Sequence, residues 1–443
     1  MSTPLKAVRG MRDILPLKIG IDDKLPVKIG IHDILPMHMP VFHRLEAVIR
    51  ELCSHYCYDE IRFPIVESTA LFKRSIGEAT DIIEKEMYTF FDRNGDSLSL
   101  RPEGTACCVR AGIEHSLLYN QIQRLWYMGP FFRHERPQQG RYRQFHQLGV
   151  ECFGLGGADT DAEVILLSKR LLDEVGLSEH VKLEINTLGS LETRAKHREA
   201  LMKYLHQNAS LLDEDSQRRL HTNPLRILDS KNPAMQKMIT DAPSLLHYLD
   251  DASKKHFDDL KRYLQAVGIE LEDHLNHRLV RGLDYYCHTV FEWTTTQLGA
   301  QDAVCAGGRY DGLVEQLGGK ATPAVGFALG IERVVTLMTM ANTPIQSLNP
   351  HVYIIPENES SMPNALRLSE KLRDEYRIIM GSPLGMKNQM KRADKSFAHY
   401  AIIVGEDEKT ILCKNLRDNT IPQEQTTLER FIVLLEKLTF LRR

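Results

Sequence analysis

The spacing of apolar residues predicts a helix soon after Pro40. In VFHRLEAVIRELCSHY, apolar side chains recur every three or four positions, at Phe42, Leu45, Val48, Ile49 and Leu52. This is the period of one helical face, and proline suits the first turn of a helix. The next stretch, DEIRFPIVES at 59–68, reads as a strand. Because proline cannot donate a ladder hydrogen bond, Pro64 predicts an edge strand, where a second subunit could dock.

Alternation and helical periodicity organise the following part of the chain. Residues 97–154 alternate like strands, apart from a helix predicted at 106–118. Residues 190–265 are charged and helical, which predicts a helical insertion. Strand patterns return at 283–296, and an apolar helix follows near 331–340.

A second, smaller domain is predicted at the end of the chain. The polar, proline-containing segment ANTPIQSLNP at 341–350 has the composition of a linker. Beyond it, apolar runs and helical stretches alternate in the order β-α-β-α-β-β-α, which is typical of an α/β domain. We therefore expect a first domain over 1–340 and a second over 351–443.

Composition narrows the class of protein. The 443 residues are 42% hydrophobic and 26% charged. This composition suits two or three folded domains and excludes a predominantly disordered chain. Lys plus Arg (56) nearly equals Asp plus Glu (59). A nucleic-acid partner would therefore have to be bound by local basic patches and not by the overall charge.

Cysteine usage and hydropathy indicate a reducing compartment. The eight cysteines include no Cys-x-x-Cys pair and no His/Cys cluster at zinc spacing, so we expect free buried thiols and assign no metal site. No cationic leader precedes an apolar core, and no apolar run approaches the roughly 18 residues of a membrane span. The expectation is a cytoplasmic protein with no membrane partner.

The densest polar segment, 124–154, predicts an antiparallel hairpin with arms at 124–135 and 143–153. Alternation places four residues of the second arm on one face, namely Phe145, Gln147, Gly149 and Glu151. Arginine and glutamate also crowd the first arm and the loop, at Arg133, Glu135, Arg136, Arg141 and Arg143. This face is either a solvated surface with salt bridges or a site for ATP and an amine-bearing substrate, because arginine forks bind phosphate and carboxylates bind amines.

The segment SLRPEGTACCVR leads into the predicted helix at 106–118. Pro102 and Gly104 hold Glu103 in a rigid turn, which favours a functional carboxylate. Thr105 has two interpretations, a helix cap or a ligand.

Two segments near the end of the first domain supply further candidates. In LVRGLDYYCHTVFEW, Arg281 precedes a strand, and Tyr285 and Tyr286 should point to opposite faces, one into the core and one into a pocket. CAGGRYDGL predicts a tight turn. In GFALGIERVVTLM, Arg333 lies in the first turns of a helix, where a cation is disfavoured unless an anion such as phosphate is within reach.

Taken in order, these segments resemble the histidyl-tRNA synthetases, a class II aminoacyl-tRNA synthetase family. FRHERPQQGRYRQFHQ is similar to the second class II motif and GFALGIER to the third, while LVRGLDYY and AGGRYDGL resemble stretches peculiar to histidine enzymes. The resemblance implies an α+β catalytic domain built on an antiparallel sheet with helices and a helical insertion. It also implies a C-terminal α/β anticodon-binding domain.

The resemblance implies roles for individual residues. The ATP ligands would be Arg133 (α-phosphate and histidine carboxylate), Glu135 (adenine amino group), Arg141 (outer phosphates), Phe145 (stacking on adenine) and Arg333 (γ-phosphate). The histidine ligands would be Glu103, Thr105 and Gln147 at the α-amino end, and Glu151, Tyr286 and Tyr285 at the imidazole. Arg281, near the α-phosphate where related enzymes place a metal ion, would be catalytic together with Arg133.

The implied reaction joins L-histidine to the 3′ end of tRNA(His) through a histidyl-adenylate, with ATP and Mg²⁺, releasing pyrophosphate and AMP. Gln138 and Arg143 would contact the acceptor stem. Lys387, Lys391 and Arg392 lie at helical spacing and are either contacts to the anticodon arm or a solvated basic face. The family further implies a homodimer joined through 41–68.

One segment lies outside the resemblance. Asp13, Asp23 and Asp33 each stand two residues before a Leu-Pro, and Lys-Ile-Gly-Ile recurs ten residues apart. Family members usually contain about one such unit, so the extra copies are either a duplication tolerated in a surface segment or a docking strand of one lineage.

Two other functions remain open on the sequence. A catalytically silent paralogue would sense histidine and regulate an ATP phosphoribosyltransferase, but such proteins typically lack the last domain and degrade the motif around Arg281. A non-enzymatic RNA-binding protein would keep the basic C-terminal patch and have no use for Glu103, Gln147, Glu151 and Arg281 together.

Overall fold

The computed structural model describes residues 39–443 except 78–79, 81, 136–140, 223, 229, 231, 284, 300–302, 345–347, 383–384, 408–409, 419 and 441–443. The repeat at 13–36 and the candidate tRNA ligand Gln138 lie outside the described residues. Residues 41–343 form one compact unit and residues 344–443 a second.

The first unit is built on a seven-stranded sheet in the order β1-β5-β6-β10-β9-β8-β7. Its strands are β1 (Asp59–Glu60), β5 (Gln123–Phe132), β6 (Gln144–Phe153), β7 (Lys182–Thr187), β8 (Cys287–Thr294), β9 (Ala303–Arg309) and β10 (Ala324–Gly330). β1 pairs with β5 in parallel, and the other neighbours are antiparallel. The antiparallel sheet expected of the first domain is confirmed.

The prediction of a single strand at 59–68 is wrong. The segment forms two short strands, β1 at the edge of the large sheet and β2 (Val66–Ser68), with Pro64 between them. A proline has no N–H for a ladder, so pairing stops around it. β2 joins β3 (Thr89–Phe91) and β4 (Ser97–Leu100) in a three-stranded sheet in the order β2-β4-β3.

The helices of the first unit cover the large sheet or form the insertion. They are α1 (Met39–His55), α2 (Thr69–Ile76), α3 (Thr105–Glu114), α4 (Ala158–Glu174), α5 (Leu191–Gln207), α6 (Glu214–Thr222), α7 (Gln236–Thr240), α8 (Asp251–Gln265), α9 (Leu313–Gln316) and α10 (Ile331–Met340). α1 buries the predicted apolar face. α3 ends at Glu114, earlier than the predicted helix at 106–118.

The inserted helices have an apolar core of their own. Its buried members come from α5, α6, α7 and the turns between them, and they include Leu201, Leu205, Leu220, Met235 and Ile239. α8 packs instead against α4, where His256 Nε2 lies 2.8 Å from the Asp161 carboxylate. The segment predicted to be helical at 190–265 therefore divides into two parts, a bundle of α5, α6 and α7 with its own core and a helix, α8, that packs on α4.

The second unit is a five-stranded sheet with three helices among its described residues, in the order β-α-β-α-β-β-β-α. The predicted order β-α-β-α-β-β-α lacks the strand Glu424–Thr427, which precedes the last helix. The elements are β11 (Val352–Pro356), α11 (Met362–Arg373), β12 (Ile378–Met380), α12 (Met386–Lys395), β13 (Tyr400–Val404), β14 (Thr410–Asn415), β15 (Glu424–Thr427) and α13 (Leu428–Phe440). β11 pairs in parallel with β12 and β13, whereas β14 and β15 continue the sheet antiparallel. Across both units, none of the described helices has the length and apolar content needed to cross a membrane.

Candidate active site

The register of the β5–β6 hairpin builds one polar face on the large sheet. Phe145, Gln147, Gly149 and Glu151 stand opposite Phe131, Gly129, Tyr127 and Leu125. Directly opposed residues of an antiparallel pair share a face, so these side chains lie together as alternation predicted. The regular arms are shorter than expected, because β5 ends at Phe132 and β6 begins at Gln144.

Small residues continue this face across the next two strands. Gly326 and Ala328 of β10 stand opposite Glu151 and Gly149, and β9 adds Ala306 opposite Ala328. A side chain at Gly326 would collide with the Glu151 carboxylate, and one at Gly149 would collide with the Tyr127 ring. The small residues therefore leave room on the sheet for the polar side chains beside them.

Glu151 lies at the centre of this face and is almost completely buried. Its Oε1 accepts hydrogen bonds from the hydroxyls of Thr105 at 2.8 Å and Tyr127 at 3.0 Å, and its Oε2 accepts one from Tyr310. Burial raises the pKa of Glu151 to about 8, although the three hydroxyl donors act in the opposite direction. A buried carboxyl held this way is a strong partner for a ring nitrogen.

Two of these hydroxyl donors were missed from the sequence. Alternation could have identified Tyr127, because even-numbered steps along the strand place it on the same face as Phe131 and Arg133. Tyr310 carries no such signal, since it follows the last residue of β9 and reaches Glu151 only through the fold.

Glu103, and not Thr105, caps helix α3. The Glu103 carboxylate accepts hydrogen bonds from the backbone N–H groups of Thr105 at 2.7 Å and Ala106 at 2.9 Å. Thr105 is the first residue of the helix, and its hydroxyl is used by Glu151. Burial raises the pKa of Glu103, while those two N–H groups and the charge of Arg133 oppose the rise. The open alternative for Thr105 as the cap is therefore wrong.

Tyr285 and Tyr286 do not point to opposite faces. Both precede β8, both are buried, and their ring centroids lie 4.7 Å apart. Their distances to the Tyr310 ring are 5.6 Å and 6.4 Å. The prediction failed because alternation applies inside a strand and these residues lie just outside one. The three tyrosines form one aromatic cluster beside Glu151.

Arg133 links the hairpin to the turn that contains Glu103. Its Nε donates to the carbonyl of Pro102 at 2.8 Å, and its guanidinium carbon lies 5.4 Å from the Phe145 ring centroid. Glu135 lies between two arginines, at 2.7 Å from Arg141 and 3.8 Å from Arg133. The candidate ATP ligands of the hairpin are therefore in contact with one another.

Arg281 forms an ion pair with Glu292, and its guanidinium carbon lies 5.7 Å from the Tyr286 ring centroid. Glu292 is on β8, opposite Ala306, so it shares the face that carries Glu151. Sequence reasoning missed Glu292, since nothing in the strand pattern distinguishes it from a solvated residue.

Gln147 and Arg281 each retain unused hydrogen-bonding capacity. Gln147 Oε1 and Arg281 Nε are buried and have no hydrogen-bond partner among the described residues. Buried polar atoms without partners are rare and costly, so both favour a bound ligand.

The pairing of β10 with β6 places Arg333 near Gln147. Its side chain folds back over Gly330, which stands opposite Gln147, and its Nη1 donates to the carbonyl of Ala303 at 2.6 Å. The preceding residue, Glu332, accepts hydrogen bonds from the backbone N–H of His146 and lies 2.8 Å from its Nδ1. These contacts between Glu332 and His146 hold the start of α10 against the hairpin. Sequence reasoning missed them as well.

The remaining candidates are held on other elements. Arg143 Nε donates to the Glu135 carbonyl at 3.4 Å, so the residue is next to the hairpin ligands. Lys387, Lys391 and Arg392 are exposed on α12 of the second unit. These three side chains form a basic stretch of α12 within the second unit.

An antiparallel sheet with a buried carboxylate, arginines on the hairpin, before β8 and on α10, and a C-terminal α/β unit is the architecture of a class II aminoacyl-tRNA synthetase. The family model for histidyl-tRNA synthetase matches residues 30–334, and an anticodon binding domain matches 351–438. The chain belongs to the histidyl-tRNA synthetase family and is a histidine–tRNA ligase. The match begins at residue 30, three residues before Asp33, the aspartate of the third copy of the N-terminal repeat.

Solved structures agree with this assignment. The apo histidyl-tRNA synthetase from S. aureus is 34% identical, with 95% of this chain and 99% of that chain covered and a TM-score of 0.74. Histidyl-tRNA synthetase from Nostoc sp. PCC 7120 is 18% identical, with 95% and 99% covered and a TM-score of 0.66. An ATP phosphoribosyltransferase regulatory subunit/histidyl-tRNA synthetase from Bacillus halodurans C is 22% identical, with 85% and 98% covered and a TM-score of 0.60. The last two matches support the fold alone.

Proposed function

We propose that this enzyme joins L-histidine to tRNA(His) in two steps. Histidine and ATP first form histidyl-adenylate and pyrophosphate, and the histidyl group then passes to the 3′ end of the tRNA with release of AMP. The observation that carries this proposal is the buried Glu151, held by three hydroxyls beside a tyrosine cluster and Arg281. A carboxyl in that setting suits a substrate that presents a ring nitrogen.

Recognition of histidine is assigned to the residues around Glu151. Glu151 and Tyr286 would bind the imidazole, with Tyr285 beside them. Glu103, Thr105 and Gln147 would hold the α-amino end. The partnerless Gln147 Oε1 supports this assignment, because an ammonium group offers the hydrogen-bond donor that the buried acceptor lacks.

Activation needs fixed cations more than a base. The substrate carboxylate is already ionised, whereas negative charge builds on the phosphoryl oxygens in the transition state. Arg281 and Arg133 would stabilise that charge, and both are positioned before ATP binds, by Glu292 and by the Pro102 carbonyl. Glu135, Phe145, Arg141 and Arg333 would bind the rest of the nucleotide.

Mg²⁺ accompanies ATP in this class, and it prefers carboxylate and phosphate oxygens. Glu184 and Glu292 stand directly opposite each other on β7 and β8, on the face that carries Glu151. Glu184 Oε2 accepts a hydrogen bond from Asn276 at 2.7 Å, and the carboxylate forms no ion pair among the described residues. Because Glu292 is paired with Arg281, we infer that the Glu184 carboxylate would help to hold the ion. Bound Mg²⁺ would neutralise charge on the ATP phosphates.

The tRNA and a second copy of the chain are the proposed macromolecular partners. Gln138 and Arg143 would meet the acceptor stem, and the exposed α12 side chains Lys387, Lys391 and Arg392 would meet the anticodon arm. Exposed apolar side chains at Ile65 and Val66 support a homodimer joined through 41–68. A cytoplasmic location fits the eight free cysteines.

Histidine-dependent exchange of pyrophosphate into ATP tests the first step directly. The proposed enzyme should catalyse exchange with histidine and not with other amino acids. A regulatory paralogue would bind histidine without exchange, and a non-enzymatic RNA-binding protein would do neither. Absence of exchange in folded protein that binds ATP and histidine would refute the proposal.

A further inference from the structure

Three potential metal ligands meet next to the tyrosine cluster in the chain. The ligand atoms of Cys287, His288 and Asp311 all lie within 4.8 Å of one another. None of the three has a role in the proposed reaction. Cys287 directly follows Tyr286, and Asp311 directly follows Tyr310.

The backbone explains how two consecutive side chains can reach the same point. In a regular strand, Cys287 and His288 would point to opposite faces. The pairing of β8 with β9 shifts between Cys287 and Val290, and His288 has a φ of 46°, in the left-handed region. Such a φ is uncommon for any residue except glycine, and here it turns the imidazole toward the cysteine.

All three residues have ligand capacity to spare. Cys287 is a free thiol, and His288 Nδ1 is buried without a hydrogen-bond partner among the described residues. Asp311 Oδ1 accepts hydrogen bonds from Arg309 at 3.0 Å and from the Ala324 N–H at 2.9 Å, which leaves Oδ2 as the ligand oxygen. The Asp311 side chain is 34% exposed, so an ion has a path from solvent.

The local charges permit a divalent cation. Arg309 forms an ion pair with Asp311 but is also bound by the fully buried Asp161. Arg194, the other arginine whose charge acts on Cys287, donates to the Tyr286 carbonyl. A thiolate at Cys287 and the carboxylate of Asp311 would together balance the two charges of the ion, so no net charge would be buried.

We propose that Cys287, His288 and Asp311 form a binding site for a borderline transition-metal ion of the Zn²⁺ type, with water in the fourth position. Sulfur, imidazole nitrogen and carboxylate oxygen are the ligands that Zn²⁺ uses, and three protein ligands with one open position form a known arrangement. The site lies outside the proposed ATP and histidine residues, so it does not depend on the proposed function.

Cobalt(II) titration of the full-length reduced protein tests this site, because a cobalt–thiolate bond gives a charge-transfer band in the near ultraviolet. The wild-type chain should bind one Co²⁺ with that band, and added Zn²⁺ should displace it. Cys287→Ser should lose the band, and His288→Asn should weaken binding by roughly tenfold or more. Asparagine tolerates a left-handed φ, so the second variant keeps the backbone.

Cys57→Ser is the matched control, since Cys57 is the exposed cysteine and the one best placed to bind metal adventitiously. It should titrate like the wild type. The proposal is overturned if the wild type shows no cobalt–thiolate band at one equivalent. It is equally overturned if the band persists in Cys287→Ser or disappears in Cys57→Ser. Pyrophosphate exchange on the same samples reports the proposed function separately.

Discussion

Arg281 is bound by the carboxylate of Glu292, and both side chains are mostly buried, with 18% and 15% exposed. The pair joins the segment before β8 to the middle of that strand. A free arginine would sample many rotamers, whereas this one is oriented before substrates bind. Preorganised charge costs no rearrangement at the moment of reaction, so the pair suits the catalytic role proposed for Arg281.

Replacing Arg281 by alanine should lower the rate of histidine-dependent pyrophosphate exchange by roughly two orders of magnitude or more, because a fixed donor to the developing phosphoryl charge is lost. Arg278→Ala is the matched control, since Arg278 is exposed and binds the Thr240 hydroxyl instead. Near-normal exchange in Arg281→Ala, with the control also normal, would remove Arg281 from the mechanism.

Glu292→Gln should separate positioning from charge. The variant leaves the Arg281 guanidinium unaltered but removes the carboxylate that orients it. We therefore expect kcat for exchange to fall by about tenfold, with a smaller change in KM for histidine. Glu292→Asp should restore part of the rate. Equal exchange in Glu292→Gln and wild type would show that the ion pair does not position Arg281.

Tyr310→Phe should weaken histidine binding. The variant removes one of the three hydroxyl donors to Glu151 and leaves a buried acceptor short of a partner. We expect KM for histidine to rise by about tenfold, since such a loss costs about 1–3 kcal/mol. Tyr119→Phe, at an exposed tyrosine, is the control. An unchanged KM in Tyr310→Phe would exclude Tyr310 from histidine recognition.

The raised pKa of Glu151 predicts a pH dependence of stability. Its pKa rises from 4.5 to about 8 on folding, so between these values the unfolded chain has lost the proton that the folded chain keeps. The contribution of Glu151 to the free energy of unfolding therefore falls as pH rises through this window and is constant above it.

Glu151→Gln removes this titration, so its free energy of unfolding should decline less than that of the wild type between about pH 5 and about pH 8, by up to a few kcal/mol. Urea unfolding at both pH values measures the difference. Glu114→Gln, at an exposed glutamate, should keep the wild-type slope. Parallel slopes for Glu151→Gln and wild type would contradict the raised pKa.

The proposed homodimer predicts a charge-sensitive surface around β2. Val66 is 40% exposed there, and Val66→Asp would place a carboxylate in the apolar interface. We expect sedimentation velocity to show monomer where the wild type is dimeric. Val433→Asp, at an exposed valine of the second unit, should remain dimeric. A dimeric Val66→Asp protein would exclude this surface from the interface.

The sequence alone determined the face of the hairpin, the helix after Pro40 and the element order of the second unit, apart from its last strand. Each depends on local periodicity: alternation within a strand or helical spacing within a helix. The family motifs added the arginines that are proposed to bind the nucleotide. Where periodicity ended, so did the predictions, as at Pro64 and at the two tyrosines before β8.

Only the tertiary structure decided how distant segments meet. Tyr310 reaches Glu151 across 159 positions and His146 meets Glu332 across 186, and neither contact has a local pattern. The Arg281–Glu292 pair and the grouping of Cys287 and His288 with Asp311 likewise depend on strand register and on one bulge. Hydrophobic burial and backbone pairing set these distances, and both are properties of the packed sheet and not of any short stretch of sequence.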